Sequence, residues 1–165
     1  GHIYADSTPG KGSVFTVLLP ATDRPVDPVS LERTSEAQIR GHERILIIDD
    51  EPSILDSSRE LLSDFGYQVD AFADPVKAFD AFLEDPLAYD LVVTDQTMPG
   101  MTGDLLAGKI LELKPDMPII LCTGFNENIS ELKARQIGIQ KYLQKPIIDQ
   151  SLAGIIRKLL DKETP

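Results

Sequence analysis

Four short apolar runs recur along most of the chain, each bounded by polar residues, glycine or proline. They occupy residues 45–48, 91–94, 119–122 and 142–143. Because apolar residues follow one another directly in these runs, they predict β-strands buried on both faces. Between and after the runs, apolar residues recur three or four positions apart, which predicts helices around residues 54–65, 76–82, 105–111 and 152–160. Strands alternating with helices form a parallel sheet, since parallel neighbours need a crossover, so the predicted fold class is α/β.

Five polar residues follow the ends of these runs: Asp49, Asp50, Asp95, Thr123 and Lys145. In an open parallel sheet the carboxyl ends of the strands form the ligand crevice, so we expect these side chains in one pocket. Three carboxylates there would repel one another without a cation, and such oxygen ligands suit magnesium, Mg²⁺. A lysine and a hydroxyl suit phosphoryl oxygens, and an aspartate can accept a phosphoryl group as an acyl phosphate. The pattern predicts a phosphoryl site.

Helix capping is the competing interpretation of the acidic cluster. The acids at residues 49–51 precede Pro52, where a helix is predicted to begin, and acids at that position interact favourably with the helix dipole. Capping would explain one or two of these acids. It does not explain Asp95, Thr123 and Lys145, which lie at three other strand ends.

The strings around these residues resemble those of a response-regulator receiver domain. They are IIDDEP at residues 47–52, TDQTMPGMTG at 94–103, CTG at 122–124 and YLQKP at 142–146. The resemblance covers residues 44–165 and implies a flavodoxin-like (βα)5 fold with a parallel sheet of order 2-1-3-4-5. It also implies two-component phosphorelay signalling, in which the receiver catalyses its own phosphorylation and dephosphorylation.

The resemblance assigns a role to each residue of the pocket. Asp95 resembles the phosphoacceptor, and the Mg²⁺ ligands would be Asp49, Asp50, Asp95 and the backbone carbonyl of Thr97. Thr123 and Lys145 would hold the phosphoryl oxygens.

The same resemblance implies a conformational switch. Thr123 and Tyr142 match the residues of the family that move together on phosphorylation and change the face formed by the last two helices and the last strand. It further implies a cis peptide bond between Lys145 and Pro146.

Residues 1–20 carry a second resemblance, to the closing hairpin of a histidine-kinase ATP-binding domain. The pattern is a strand, a turn at Pro9 and Gly10, and a second strand that alternates at Val14, Thr16 and Leu18. The parts of that domain that hold ATP are missing, so we do not expect ATP binding, and the kinase's phosphoacceptor histidine is missing as well. With residues 21–43 as a partly helical linker, the order resembles the C-terminal part of a hybrid sensor histidine kinase.

Composition narrows the possible partners. The formal net charge of −11 disfavours nucleic-acid binding. No apolar run approaches the roughly 18 residues of a membrane span, so we expect a cytoplasmic segment without direct membrane contact. The expected partner is a phosphohistidine donor, on a kinase dimerisation domain or a histidine phosphotransfer protein. The sequence leaves the oligomeric state open.

Two alternative functions remain. One is a receiver that acts as a binding surface independently of phosphorylation, and loss of Asp95 would separate it from a phosphoacceptor. The other is a phosphatase of the haloacid-dehalogenase type. That class would need a second aspartate where this sequence has Thr97.

Overall fold

The computed structural model describes residues 1–21, 39–124, 129–147 and 149–161. These residues fall into two compact units, the first at the N-terminus and the second from residue 39 onward. Most of the predicted linker, including the larger part of its helical stretch, lies outside the described residues.

The first unit is the hairpin predicted from the alternation. Strands β1 (His2–Thr8) and β2 (Gly12–Leu18) pair antiparallel, with His2 opposite Leu18. Gly10 adopts a φ of 77° in the turn, a conformation that glycine reaches without a steric penalty.

The second unit is a five-stranded parallel sheet with helices on both faces. Its strands are β3 (Arg44–Ile48), β4 (Gln68–Phe72), β5 (Leu91–Asp95), β6 (Ile119–Thr123) and β7 (Lys141–Gln144). Its helices are α1 (Pro52–Asp64), α2 (Pro75–Glu84), α3 (Gly103–Leu113), α4 (Glu131–Ile137) and α5 (Asp149–Asp161). The strand order is β4-β3-β5-β6-β7, which confirms the predicted α/β class and the 2-1-3-4-5 order.

The side chains of successive residues in the central strands point to opposite faces of the sheet. Because both faces are covered, these strands appear in the sequence as continuous apolar runs. In β3, Leu46 and Ile48 join the apolar core beneath α2, α3 and α4, whereas Ile45 and Ile47 join the core beneath α1 and α5. The strands are therefore covered on both sides, as expected for a parallel sheet.

Two elements were not predicted from the apolar pattern. Strand β4 lies at the sheet edge and is only partly buried, and Asp70 interrupts its apolar residues. Helix α4 has seven residues, of which only Ala134 is buried, so its apolar periodicity is weak.

The last residues of the predicted linker pack into the second unit. Ile39 is 4% exposed and lies in the core beneath α1 and α5. The Tyr67 hydroxyl donates a hydrogen bond to the Ile39 carbonyl at 3.0 Å, and the Gly41 N–H donates to the Phe65 carbonyl at 3.0 Å. The packed unit therefore begins several residues before β3.

Candidate functional site

Two buried aspartates and a lysine form the centre of the site. Asp49 follows β3 and Asp95 ends β5, the neighbouring strand, so the topology brings the two carboxylates to one edge of the sheet. They are 4% and 5% exposed. Lys145 follows β7, and its Nζ lies 2.7 Å from Asp49 Oδ2 and 2.5 Å from Asp95 Oδ1. One ammonium group therefore bridges both carboxylates.

The charges of these groups depend on one another. Burial raises the pKa of Asp95, although the hydrogen bond and charge of Lys145 and the Thr97 N–H act in the opposite direction. Burial lowers the pKa of Lys145, but its hydrogen bonds to Asp49 and Asp95 outweigh this effect, and the net change is upward. Lys145 is thus held in its charged form beside the two carboxylates.

Backbone N–H groups fix the remaining carboxylate oxygens. The Thr97 N–H donates to Asp95 Oδ2 at 2.7 Å, and the Glu51 N–H donates to Asp49 Oδ1 at 3.0 Å. Each acid is therefore oriented by its own strand-to-helix loop as well as by Lys145.

The donor set of the pocket is compatible with Mg²⁺. It consists of oxygen atoms, and Mg²⁺ commonly binds through one or two carboxylates while keeping several waters. Asp50, the third predicted acid, follows Asp49 directly but is exposed. Within the described ranges, no three acidic, histidine or cysteine side chains converge as a metal-binding group. Asp49 and Asp95 are the acids that the structure brings together.

The two predicted switch residues make separate hydrogen bonds. Thr123 is fully buried, and its hydroxyl donates to the Leu143 carbonyl at 3.5 Å, the outer limit of a hydrogen bond. The Tyr142 hydroxyl donates to the Ile129 carbonyl, just before α4, at 3.3 Å. The peptide bond between Lys145 and Pro146 is cis, as the resemblance implied.

A second polar cluster, not anticipated from the sequence, lies next to the centre of the site. Gln96 follows Asp95 directly, and its side-chain amide accepts the Asp104 N–H and donates to the Asp104 carboxylate in the first turn of α3. Burial raises the pKa of Asp104, but hydrogen bonds from Thr102, Gln96 and Lys133 outweigh it, and the net change is downward.

An open cavity of about 570 Å³ borders Lys145. Its lining includes Ser53 and Ser57 of α1 together with Pro146 and Leu152. The lysine, 24% exposed at its side chain, is therefore the member of the central trio that faces the cavity.

A model of the response regulator receiver domain matches residues 45–157. The chain therefore belongs to the receiver family of two-component signalling. Receiver domains generally use Mg²⁺ and accept phosphoryl groups from histidine kinases or phosphotransfer proteins.

Known proteins resemble the chain over different extents. Sensor kinase CckA of Brucella abortus is 28% identical over 170 residues, which span 99% of this chain and 18% of CckA. Transcriptional regulatory protein FixJ of Bradyrhizobium diazoefficiens is 30% identical over 76% of this chain and 60% of its own length. The chain thus spans less than two thirds of either relative.

A solved receiver domain protein from Clostridium thermocellum superimposes with a TM-score of 0.70 at 30% identity. The match covers 73% of this chain and 96% of the solved one. Within the described ranges, no helix has the length and apolarity needed to cross a membrane.

Proposed function

We propose that this receiver accepts a phosphoryl group from a phosphohistidine onto Asp95. The observation that carries the proposal is the environment of this carboxylate. Asp95 Oδ1 lies 2.5 Å from Lys145 Nζ, and Asp95 Oδ2 accepts a hydrogen bond from the Thr97 N–H at 2.7 Å. An aspartate that is buried, oriented and paired with a mobile cation has the properties of a positioned nucleophile.

In the proposed step, an Asp95 oxygen attacks the phosphorus atom of the phosphohistidine. The P–O bond forms as the P–N bond breaks, and the electron pair of the P–N bond remains on the imidazole nitrogen, which takes up a proton. The Thr97 N–H restrains the carboxylate during the attack. Bound Mg²⁺, held by Asp49, Asp50, Asp95 and the Thr97 carbonyl, would supply positive charge to the phosphoryl oxygens.

In this proposal, Lys145 pairs with different groups before and after phosphoryl transfer to Asp95. In the described structure it offsets the charge of Asp49 and Asp95. Because its ammonium group lies on a flexible stem at the cavity, it can turn toward a phosphoryl oxygen once Asp95 carries the group. Such a move preserves charge pairing throughout the reaction.

We propose Thr123 and Tyr142 as the switch. The Thr123 hydroxyl would give up only a 3.5 Å hydrogen bond to reach a phosphoryl oxygen, so its movement would cost little. Tyr142 would then leave the Ile129 carbonyl and release the start of α4. The phosphoryl group would favour this second conformer because only there does it bond to the hydroxyl.

The direct test is intact-mass analysis after incubation with phosphoramidate, with and without Mg²⁺. We expect a single phosphoryl adduct that requires Mg²⁺ and is absent in Asp95→Asn. Asp80→Asn is the matched control, since Asp80 is an exposed carboxylate on α2. An adduct that persists in Asp95→Asn would refute the assignment. A folded, Mg²⁺-binding chain without any adduct would favour the receiver that acts only as a binding surface.

We further propose that the chain is the C-terminal part of a hybrid sensor histidine kinase and lies in the cytoplasm. The alignment with CckA supports this, because it spans the N-terminal hairpin and linker as well as the receiver. In this proposal, residues 1–20 close a kinase ATP-binding domain, residues 21–43 are a linker and residues 44–165 form the receiver. The test is an immunoblot of the source cells with antibodies against this chain. A band near 18.2 kDa alone would contradict the proposal.

A further inference from the structure

Gln96 closes the loop that follows the predicted phosphoacceptor. Its backbone carbonyl accepts the Gly103 N–H at 3.0 Å, and its side-chain Oε1 accepts the Asp104 N–H at 3.1 Å. In return, its Nε2 donates to Asp104 Oδ1 at 3.1 Å. We call these two hydrogen bonds, which join the Gln96 side chain to the backbone N–H and the carboxylate of Asp104, the loop bracket.

The loop bracket is buried and supported from both sides. Gln96 is 8% exposed, and its own N–H donates to the Cys122 carbonyl of β6 at 2.8 Å. The Thr102 hydroxyl donates to Asp104 Oδ1 at 2.6 Å, and Lys133 Nζ lies 3.4 Å from Asp104 Oδ2. The Lys133 side chain is 57% exposed, so its ion pair contributes less than the buried hydrogen bonds.

Thr97 is the residue of this loop whose backbone groups contact the predicted phosphoacceptor and the predicted Mg²⁺. It follows Gln96 directly, and its N–H orients Asp95 Oδ2. Its carbonyl is the predicted backbone ligand of Mg²⁺. The position of the Thr97 peptide therefore depends on how firmly the ends of the loop are held together.

We propose that Gln96 and Asp104 are positioning residues for phosphoryl transfer to Asp95, acting through the loop bracket on the N–H and carbonyl of Thr97. This inference rests on the proposed function, because it assigns a purpose to the same site. Neither side chain touches the reacting atoms. They act one layer further out, by orienting the Thr97 N–H and carbonyl, which contact Asp95 and the predicted Mg²⁺.

The chain offers a matched control for this proposal. Gln140 also uses its side-chain amide twice, accepting the Ile119 N–H at 2.8 Å and donating to the Met117 carbonyl at 3.2 Å. It acts at the start of β6, the opposite end of the strand from the site. Gln96→Leu and Gln140→Leu therefore each remove one hydrogen bond accepted from a backbone N–H and one donated by the side-chain amide, although Gln140 is exposed and its amide donates to a carbonyl rather than to a carboxylate.

The experiment measures three quantities for the parent chain and both variants. They are the Mg²⁺ dissociation constant, the rate of phosphorylation by phosphoramidate, and hydrogen exchange of the Thr97 amide in metal-free protein. We expect Gln96→Leu to weaken Mg²⁺ binding and slow phosphorylation by about 10- to 100-fold, the range for lost outer-shell partners. Exchange of the Thr97 amide should accelerate in Gln96→Leu and stay at the parent rate in Gln140→Leu.

The outcomes separate this inference from the proposed function. If the Mg²⁺ dissociation constants of the two variants agree within about twofold, the scatter expected of independent sites, the positioning role is overturned. A Mg²⁺ dissociation constant that is more than about twofold higher for Gln96→Leu than for Gln140→Leu supports the positioning role. A parent chain that neither forms the adduct nor binds Mg²⁺ overturns both proposals, whereas a normal parent with equivalent variants overturns only this one.

A second pair of variants covers the case in which Gln96→Leu does not fold. Gln96→Glu sets two carboxylates against each other and should accelerate exchange of the Thr97 amide. Adding Asp104→Asn restores a donor opposite the new carboxylate and should slow that exchange again. Exchange is the deciding measurement here, because an added carboxylate changes Mg²⁺ affinity through its charge alone. A folded Gln96→Glu variant with unchanged exchange, or without rescue, overturns the proposal.

Discussion

Replacing Lys145 by methionine should destabilise the receiver unit, although the new side chain fills a similar volume. The change removes the ammonium group that lies 2.7 Å from Asp49 Oδ2 and 2.5 Å from Asp95 Oδ1. Both carboxylates are almost fully buried. They would then face each other without a cation, a situation that proteins avoid because buried charges are costly when unpaired.

The size of the effect follows from burial. Removing one partner of a buried ion pair costs about 3–5 kcal/mol in the free energy of unfolding. We expect the lower limit, about 3 kcal/mol, because water from the adjoining cavity can partly replace the ammonium group. The Lys145 side chain lines the cavity and is 24% exposed, whereas the side chains of Asp49 and Asp95 are only 6% and 5% exposed. Typical domain stabilities of about 5–15 kcal/mol would leave the variant folded.

The deficit should depend on pH in a defined direction. Burial already raises the pKa of Asp95, and loss of Lys145 removes an effect that lowers it. A carboxyl group whose pKa is higher in the folded than in the unfolded state costs stability above its folded pKa. This cost disappears below its unfolded pKa, where both states are protonated. The difference between variant and parent should therefore be largest near neutral pH and shrink as the pH falls.

Urea unfolding at about pH 7 and about pH 4.5, without Mg²⁺, measures both effects. The chain has no tryptophan, so helical circular dichroism is the appropriate signal. Lys141→Met is the matched control, since Lys141 begins β7, the strand that Lys145 follows, is exposed and forms no ion pair with the described residues. A deficit equal to that of Lys141→Met, or one that does not change with pH, would refute the reasoning.

Two further substitutions and one labelling experiment probe separate parts of the unit. Gly103→Ala should slow phosphorylation in the mass assay and cost about 1–3 kcal/mol in urea, because an added Cβ overlaps the backbone oxygen of Asp95. Ile39→Ala should cost about 2 kcal/mol in urea unfolding, and a cost near zero would show that the packed unit begins later. Burial raises the pKa of the Cys122 thiol to about 12, so iodoacetamide should label it only on unfolding. Labelling at equal rates with and without urea would contradict its burial.

The apolar pattern predicted the centre of the fold better than its edges. Central strands β3, β5 and β6 are buried on both faces and so appear as continuous apolar runs. Edge strand β4 contains Asp70, which pairs with Arg44 at 2.7 Å and accepts the Tyr89 hydroxyl at 3.0 Å. A polar residue that finds its partners only in the folded state interrupts the pattern on which the prediction depends.

The location of the site could be predicted because topology determines it. Parallel strands bring their carboxyl ends together whatever the connecting segments contain, so Asp49 and Asp95 converge. The pairing of Lys145 with both carboxylates joins residues 96 positions apart for Asp49, and no local pattern encodes it. The loop bracket between Gln96 and Asp104 was missed for a related reason, since amide side chains have no periodic signature.

The net charge of Asp49, Asp95 and Lys145 affects which ions the site attracts. Asp49 and Asp95 carry two negative charges, and Lys145 offsets one of them, so the trio keeps one negative charge beneath the cavity. That excess attracts a divalent cation but repels a phosphoryl group that arrives alone. Because Lys145 pairs with both acids, it limits their repulsion without removing the excess charge. In the proposed function, the same lysine would thus stabilise the unmodified receiver and leave phosphoryl transfer dependent on a cation.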